Sequence, residues 1–222
     1  MGKSSMDKVS RPMPPKELGQ YRADFPVMFL PALDMPLWVR DTFLDPKSKL
    51  FNQDHYHLFD HMDFAHIGFL WAASSYESKG RVILGLTEET VFRSHKWAKW
   101  RQEMQMQEWF GLEFPGFLIT LSGPYCEAAT HEEFCALVEH ELYHIGHALD
   151  KQGLPAFNKD TGLPSLTMRG HDVEEFVGVV RRYGVGRPDG ALAEMVEVAN
   201  RKPEVSRVDI SACCGTCLKL VA

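Results

Sequence analysis

The stretch CALVEHELYHIGHALD, residues 135–150, sets His140, Glu141, His144 and His147 into an otherwise apolar, helix-like pattern. His140 to His144 reads HExxH. Residues four apart lie one above the other on a helix, so His140 and His144 can turn both imidazoles toward one ion. Glu141 is rotated by about 100° from His140. It misses the ion and reaches a water bound to it. In sites of this type zinc lowers the pKa of that water to about 7, and the glutamate accepts its proton. The spacing describes metal-assisted hydrolysis, with Zn2+ as cofactor, His140 and His144 as ligands and Glu141 as general base. The competing reading is a surface helix face that happens to be rich in histidine.

Two imidazoles do not complete such a centre, because a catalytic zinc keeps three protein ligands and one open position. His147 falls on the same helix face, but seven residues advance a straight helix by about 10.5 Å. That is too far for three side chains to wrap one ion, so His147 is placed outside the ligand set. The next candidates stand in RGHDVEEFVGVVRRYG, residues 169–184. Val173, Phe176, Val177 and Val180 repeat with a helical period, and Gly184 suits a C-terminal stop. A second helix over 172–183 is expected, with His171 at its entrance. Asp172 and Glu175 have capping-box spacing, and Glu174 suits the first turn of a helix. Both glutamates thus have structural duties that His171 lacks. His171 is the preferred third ligand, with Glu175 or Glu174 as alternatives. Tyr143, Tyr183, Arg169 and Arg182 are candidates for a donor to the oxyanion of a tetrahedral intermediate, and nothing in the sequence chooses among them.

A further cluster, His55, His57, His61 and His66, lies in DHYHLFDHMDFAH. It has no acidic or thiol partner at a ligand spacing, so it reads as a loop with exposed imidazoles rather than a second metal site.

The elements that must position the chemistry can be placed around it. IGFLWAA (67–73) and RVILGL (81–86) read as two strands of a hairpin, joined by the turn-like SSYESKG. GFLITLSG (116–123) is a third strand. Thr130 can cap the next helix, and Glu133, three residues on, completes a capping box. Phe134, Leu137, Val138, Leu142, Ile145 and Leu149 then recur at spacings of three and four. They predict a core-facing stripe on a helix that stops near Gly153. Residues 91–110 read as a helix or lid with an aromatic inner face built from Phe92, Trp97, Trp100, Trp109 and Phe110. Lys96, Lys99 and Arg101 beside those tryptophans would suit stacking on nucleic acid, but Glu103 and Glu108 dilute the charge. Core packing is the better reading. The fold class expected is α+β: a small, mostly antiparallel sheet packed on the HExxH helix and on a second helix carrying the third ligand.

FLITLSGPYCEA and HEEFCALVEHELYHI, followed by GHDVEEFVGVVRRYG, resemble the phage metallopeptidase family. More distantly, the same residues are similar to SprT-like zincins, in which HExxH precedes a histidine placed shortly before a Phe-containing helix. The resemblance covers about residues 65 to 185 and then the C-terminal CGTC. It implies a zincin-like fold, a single zinc, His140 and His144 as ligands and Glu141 as base. The SprT-like histidine carries over to His171, with one extra residue between it and Phe176. The resemblance implies chemistry and names no substrate.

Composition bounds the rest. The 222 residues are 45% hydrophobic and 24% charged, ordinary for a globular chain able to bury a core. Residues 1–18 read as a disordered N-terminal tail, 19–200 as one domain and 201–222 as a cysteine-containing tail. The formal net charge of -6 argues against coating nucleic acid. The five cysteines are odd in number and crowd the C-terminus, unlike a secreted disulfide framework. The N-terminus has no signal-peptide core, Met6 stands where myristoylation needs Ser or Thr, and no apolar run reaches about 18 residues. A cytoplasmic protein with reduced thiols and no membrane span is expected. Cys214 and Cys217 form a CxxC preceded by Cys213. The readings are a tail docked on the domain or stapled by a structural metal, and, behind these, a redox pair. The partner expected is a protein or peptide substrate; oligomeric state is not legible. The rival is a non-enzymatic, zinc-stapled scaffold that binds a host or phage protein or DNA. Glu141 weighs against it, because a purely structural site has no need of that carboxylate.

Overall fold

The computed structural model of the chain describes residues 10–205, except 23, 64, 65, 79, 93, 94, 113 and 174–176. Three short strands come first: β1 (Tyr21–Arg22), β2 (Phe25–Pro26) and β3 (Phe29–Pro31). Helices α1 (Met35–Val39) and α2 (Phe59–Asp63) follow, then β4 (Ile67–Ala72), β5 (Tyr76–Ser78), β6 (Arg81–Ile83) and β7 (Gly85–Glu89). Helix α3 (Lys96–Phe110) leads into β8 (Phe117–Ser122), α4 (Gly123–Ala128) and α5 (His131–Tyr143). The C-terminal part holds β9 (Ile145–His147), β10 (Leu166–Met168), α6 (Val177–Tyr183) and α7 (Ala191–Ala199). No helix among the described residues is long and apolar enough to cross a membrane.

The central sheet has the order β3-β4-β8-β7. Strand β4 runs antiparallel to β3 and parallel to β8, and β8 runs antiparallel to β7. The α+β class and the small, mostly antiparallel sheet are therefore as expected. The pairing is not. The strands over 67–73 and 81–86 form no hairpin with each other; β8 inserts between β4 and β7, and the tight hairpin is β5 with β6. The reason lies in burial. All six residues of β4 are buried, and a strand buried on both faces belongs inside a sheet with partners on both sides. Strand β7, GLTEE, alternates in burial, as a strand at a sheet edge does.

One face of the sheet carries the main core. Ile67, Phe69 and Trp71 of β4 and Ile119 and Leu121 of β8 join Phe134, Leu137, Val138 and Leu142 of α5. Helix α5 starts where the sequence placed it. Thr130 Oγ1 accepts from the Glu133 N–H, and the Thr130 N–H donates to Glu133 Oε2 at 2.8 Å. It ends much earlier than Gly153. His144 is its C-cap, and the chain passes directly into β9. Gly146 disfavours helix, and the backbone bonds the helix would have made are replaced by the antiparallel ladder of β9 with β10. Helix α6 stops at Gly184, whose φ of 77° and bond to the Val180 carbonyl make the left-handed stop that the sequence suggested.

On the other face, Met106 of α3 packs on Leu70 and Leu118, with Phe92, Trp109 and Phe110 around them. The expected aromatic inner face is therefore only partly aromatic. Trp97 is 82% exposed and Trp100 60% exposed. At 100° per residue they lie opposite Met106 and Trp109, nine positions further on. Part of the segment read as an N-terminal tail is held in place: Arg11 donates to the carbonyls of Thr130 and Cys126 and lies 5.2 Å from the Phe134 ring centroid.

Candidate metal centre

The end of α5 and the β9–β10 ladder build the site together. His140 and Glu141 lie in the last turn of α5, and His144 caps it. Beyond the ladder, the Arg169 N–H donates to the His144 carbonyl at 2.8 Å. In return His144 Nδ1 donates to the Arg169 carbonyl at 2.7 Å. This pairing sets the chain so that His171, two residues on, faces the helix end. The imidazoles of His140, His144 and His171 have centroids 5.1 to 5.2 Å apart. One ring nitrogen from each lies within 4.8 Å of the other two. His140 Nε2 and His171 Nε2 are 3.2 Å apart. Ligand atoms on a tetrahedral zinc sit about 3.3 Å from one another, as a Zn–N bond of about 2.0–2.1 Å requires. Three imidazoles gathered at one point, one of them held by Nδ1 on a carbonyl, fit a transition-metal centre.

Glu141 is fully buried. Its Oε2 is 2.8 Å from Thr87 Oγ1, and its own carbonyl is 2.9 Å from the same hydroxyl. One hydroxyl proton serves these two acceptors, so Thr87 ties the carboxylate to the backbone of its own helix turn. Gly85, two residues earlier on β7, leaves the room: a Cβ there would stand 2.4 Å from Glu141 Oε1. Sequence reasoning found neither Gly85 nor Thr87. Both lie more than fifty residues from Glu141, and no local pattern marks them.

Of the oxyanion candidates, Tyr143 donates to Asp54 Oδ2 at 2.9 Å and accepts from Asn52 Nδ2 at 3.0 Å. Burial pushes its phenol above the ordinary value of 10.0. The Arg169 guanidinium lies over the Tyr143 ring and pairs with Asp172. Arg182 stacks on the exposed Tyr183. Glu174 and Glu175, the alternative third ligands, lie outside the described residues, as do Cys213, Cys214 and Cys217.

The other histidines behave differently from the exposed loop expected of them. His55 and His61 are buried. The Nε2 atoms of His57, His61 and His147 lie 2.8 to 2.9 Å from the carbonyls of Ile145, Pro164 and Ala156. They tie the 53–63 segment and the β9–β10 region to one another. Burial is the main cause that lowers the pKa of His57 and His61 from 6.5.

A mixed α+β fold with a three-histidine cluster at the end of its principal helix fits a zincin-like metallopeptidase. The chain belongs to the family described as "Putative phage metallopeptidase", whose model matches residues 37–200. That match spans β4, β7 and β8 of the sheet, α5 and His171. The family implies a metal ion and a peptide substrate. Comparison with curated proteins and with solved structures finds no match.

Proposed function

We propose that the protein is a zinc-dependent peptidase in which His140, His144 and His171 hold the metal and Glu141 is the general base. The observation that carries this reading is the pairing of a converging three-nitrogen cluster with a fully buried carboxylate on the same helix turn. A metal staple needs the first and has no use for the second. Bound there, zinc would supply a Lewis acid and a water acidic enough to ionise near neutral pH. Three protein ligands leave one position open for that water or for substrate. His144 keeps its Nδ1 proton on the Arg169 carbonyl, which fixes the tautomer and leaves Nε2 basic. Glu141, oriented by Thr87, takes a proton from the attacking water and returns it to the leaving amide nitrogen. Strand β7 passes beside Glu141 at Gly85 and Thr87 and pairs with β8 alone among the named strands. Its outer edge offers a row of backbone groups to an extended peptide. The buried thiols of Cys126 and Cys135, both free, support a cytoplasmic setting, that of the host where the chain is phage-encoded.

The test is a digest of casein or a peptide library with the parent, with chelator, and with Glu141→Gln. Cleavage should stop with chelator and return with zinc, and Glu141→Gln should bind zinc without cutting. An equally active Glu141→Gln protein would overturn the mechanism. Zinc binding without any chelator-sensitive cleavage would favour the scaffold reading instead.

A further inference from the structure

The three histidines of the metal centre are not held alike. His140 and His144 stand in the last turn and at the cap of α5, half-buried and buried, whereas His171 is exposed and belongs to neither helix nor strand. The backbone pairing with His144 lies at Arg169, and Gly170 comes between that anchor and His171. Glycine has more backbone freedom to lose than any other residue. A ligand on such a segment keeps one position best when the chain is held on its far side too.

Arg169 supplies both holds. Upstream, its N–H donates to the His144 carbonyl at 2.8 Å, and its own carbonyl accepts from His144 Nδ1 at 2.7 Å. Downstream, its guanidinium donates to Asp172 Oδ1, on the residue after His171. His171 therefore sits inside a closed bridge from residue 169 to residue 172. The guanidinium is itself steadied. It lies over the Tyr143 ring, 5.9 Å from the centroid, within reach of a cation–π contact. The Arg169 stem runs against β9 at Gly146, where an added Cβ would stand 3.4 Å from Arg169 Cβ and 3.6 Å from Cδ. Tyr143 is held in turn by Asp54 and Asn52 through its hydroxyl and by the His55 ring, packed edge-on with centroids 4.3 Å apart. The contacts run without a gap from the 52–55 segment through α5 to the third histidine.

The Arg169 and Asp172 side chains are 45% and 58% exposed. An ion pair so open to water adds little stability, so what it contributes is geometry. A guanidinium suits that use, because its planar fork pairs and stacks at once, which an ammonium does not do. These engagements account for Tyr143 and Arg169 without an oxyanion role.

We propose that Arg169 is a positioning residue: supported by Asp172 and the Tyr143 ring, it holds His171 ready for the metal before the ion arrives. The inference rests on the metal centre proposed above and not on what that centre cleaves.

Three measurements test it: zinc affinity by competition titration, the melt of the chelated protein, and the cleavage rate at saturating zinc. Arg169→Gln should weaken zinc binding about tenfold or more, while its melt in chelator matches that of the parent. Asp172→Asn should weaken binding severalfold. The double variant should bind no worse than Arg169→Gln alone, since both changes open one bridge. Arg169→Lys should recover only part of the loss. Arg187→Gln, which breaks another exposed arginine–aspartate pair, should bind as the parent does. At saturating zinc, Arg169→Gln should cleave within about threefold of the parent rate, whereas loss of an oxyanion donor costs about 100-fold to 1,000-fold.

The proposal is overturned by parental zinc affinity in a folded Arg169→Gln protein, by losses that add in the double variant, or by a zinc-saturated Arg169→Gln protein that stays about 100-fold slow. Should Arg169→Gln fail to fold, Asp172→Asn decides, and parental affinity there overturns the proposal. A parent that binds no zinc ends the metal centre and this inference with it. A parent that binds zinc without cleaving ends the peptidase reading alone, and the affinities still decide the role of Arg169.

Discussion

His140, His144 and His171 turn one ring nitrogen each toward a common point, whereas His57, His61 and His147 each set Nε2 against a backbone carbonyl. The two groups lie close in the fold, and His144 and His147 stand only three residues apart. The difference is what the surrounding backbone offers. Beside the second group, carbonyls of the 145–164 region take up the imidazole N–H groups, so these rings work as cross-links. Beside the first, His144 meets a carbonyl through Nδ1, and that contact orients the ring and turns Nε2 toward the other two imidazoles. A count of histidines does not separate a metal centre from a set of struts; the destination of each ring nitrogen does.

The contrast is broken or kept most clearly by metal binding. His171→Ala should lower zinc affinity about 100-fold or more, beyond the tenfold to 100-fold typical of residues that only support ligands. His147→Ala should lower it by no more than about tenfold. Competition titration against a zinc-sensitive dye measures both. Equal losses would mean that the two groups do not differ in the way described.

Next in size is an effect on the carboxylate with the ligands left alone. In Gly85→Ala the new methyl would meet Glu141 Oε1, Cδ and Cγ, all closer than 3.0 Å, and Glu141 is buried with little room to yield. Peptide hydrolysis should fall more than tenfold while zinc content stays at one equivalent. Overpacking of this kind also costs about 1–3 kcal/mol of stability, which a melt records separately. Thr87→Val removes the hydroxyl without adding bulk, so it should lower the hydrolysis rate less than Gly85→Ala does. A Gly85→Ala protein with parental turnover would show that Glu141 does not need its present position.

What could be read from the sequence follows from distance along the chain. The Thr130–Glu133 cap and the His140–His144 spacing are local, three and four residues long, and both appear in the structure where the pattern put them. The Gly184 stop is local as well. His171 was reached by elimination, since its neighbours had other duties, and the structure brings it to the other two histidines. The end of α5 was misjudged because Ile145 and Leu149 continue the helical spacing; the ladder that overrides them needs residues 166–168, some twenty positions away. The order of the sheet was misjudged for a similar reason. Strand β8 lies far from β4 in sequence, and its insertion between β4 and β7 leaves no local trace. Gly85 and Thr87 belong to the same class of long-range contact.

The smallest expected effect concerns the cross-linking histidines alone. The fold holds the pKa of His61 below its ordinary value of 6.5, chiefly through burial and against the pull of the Pro164 carbonyl. Between the lowered folded value and 6.5 the unfolded chain binds more protons than the native one. Stability from this group is therefore complete above about pH 6.5 and is lost as the pH falls through that window toward the folded value. His61→Gln keeps an N–H for the Pro164 carbonyl and removes the titration. Melting temperatures of parent and variant, both measured with chelator so that the other histidines contribute equally, should run parallel above the window. They should separate by about 2 °C below it, the scale on which chains of this length register small stability changes, with the parent falling more steeply. Curves that stay parallel throughout would show that His61 is protonated as readily in the fold as outside it, and that this strut carries no more electrostatic cost than an exposed imidazole.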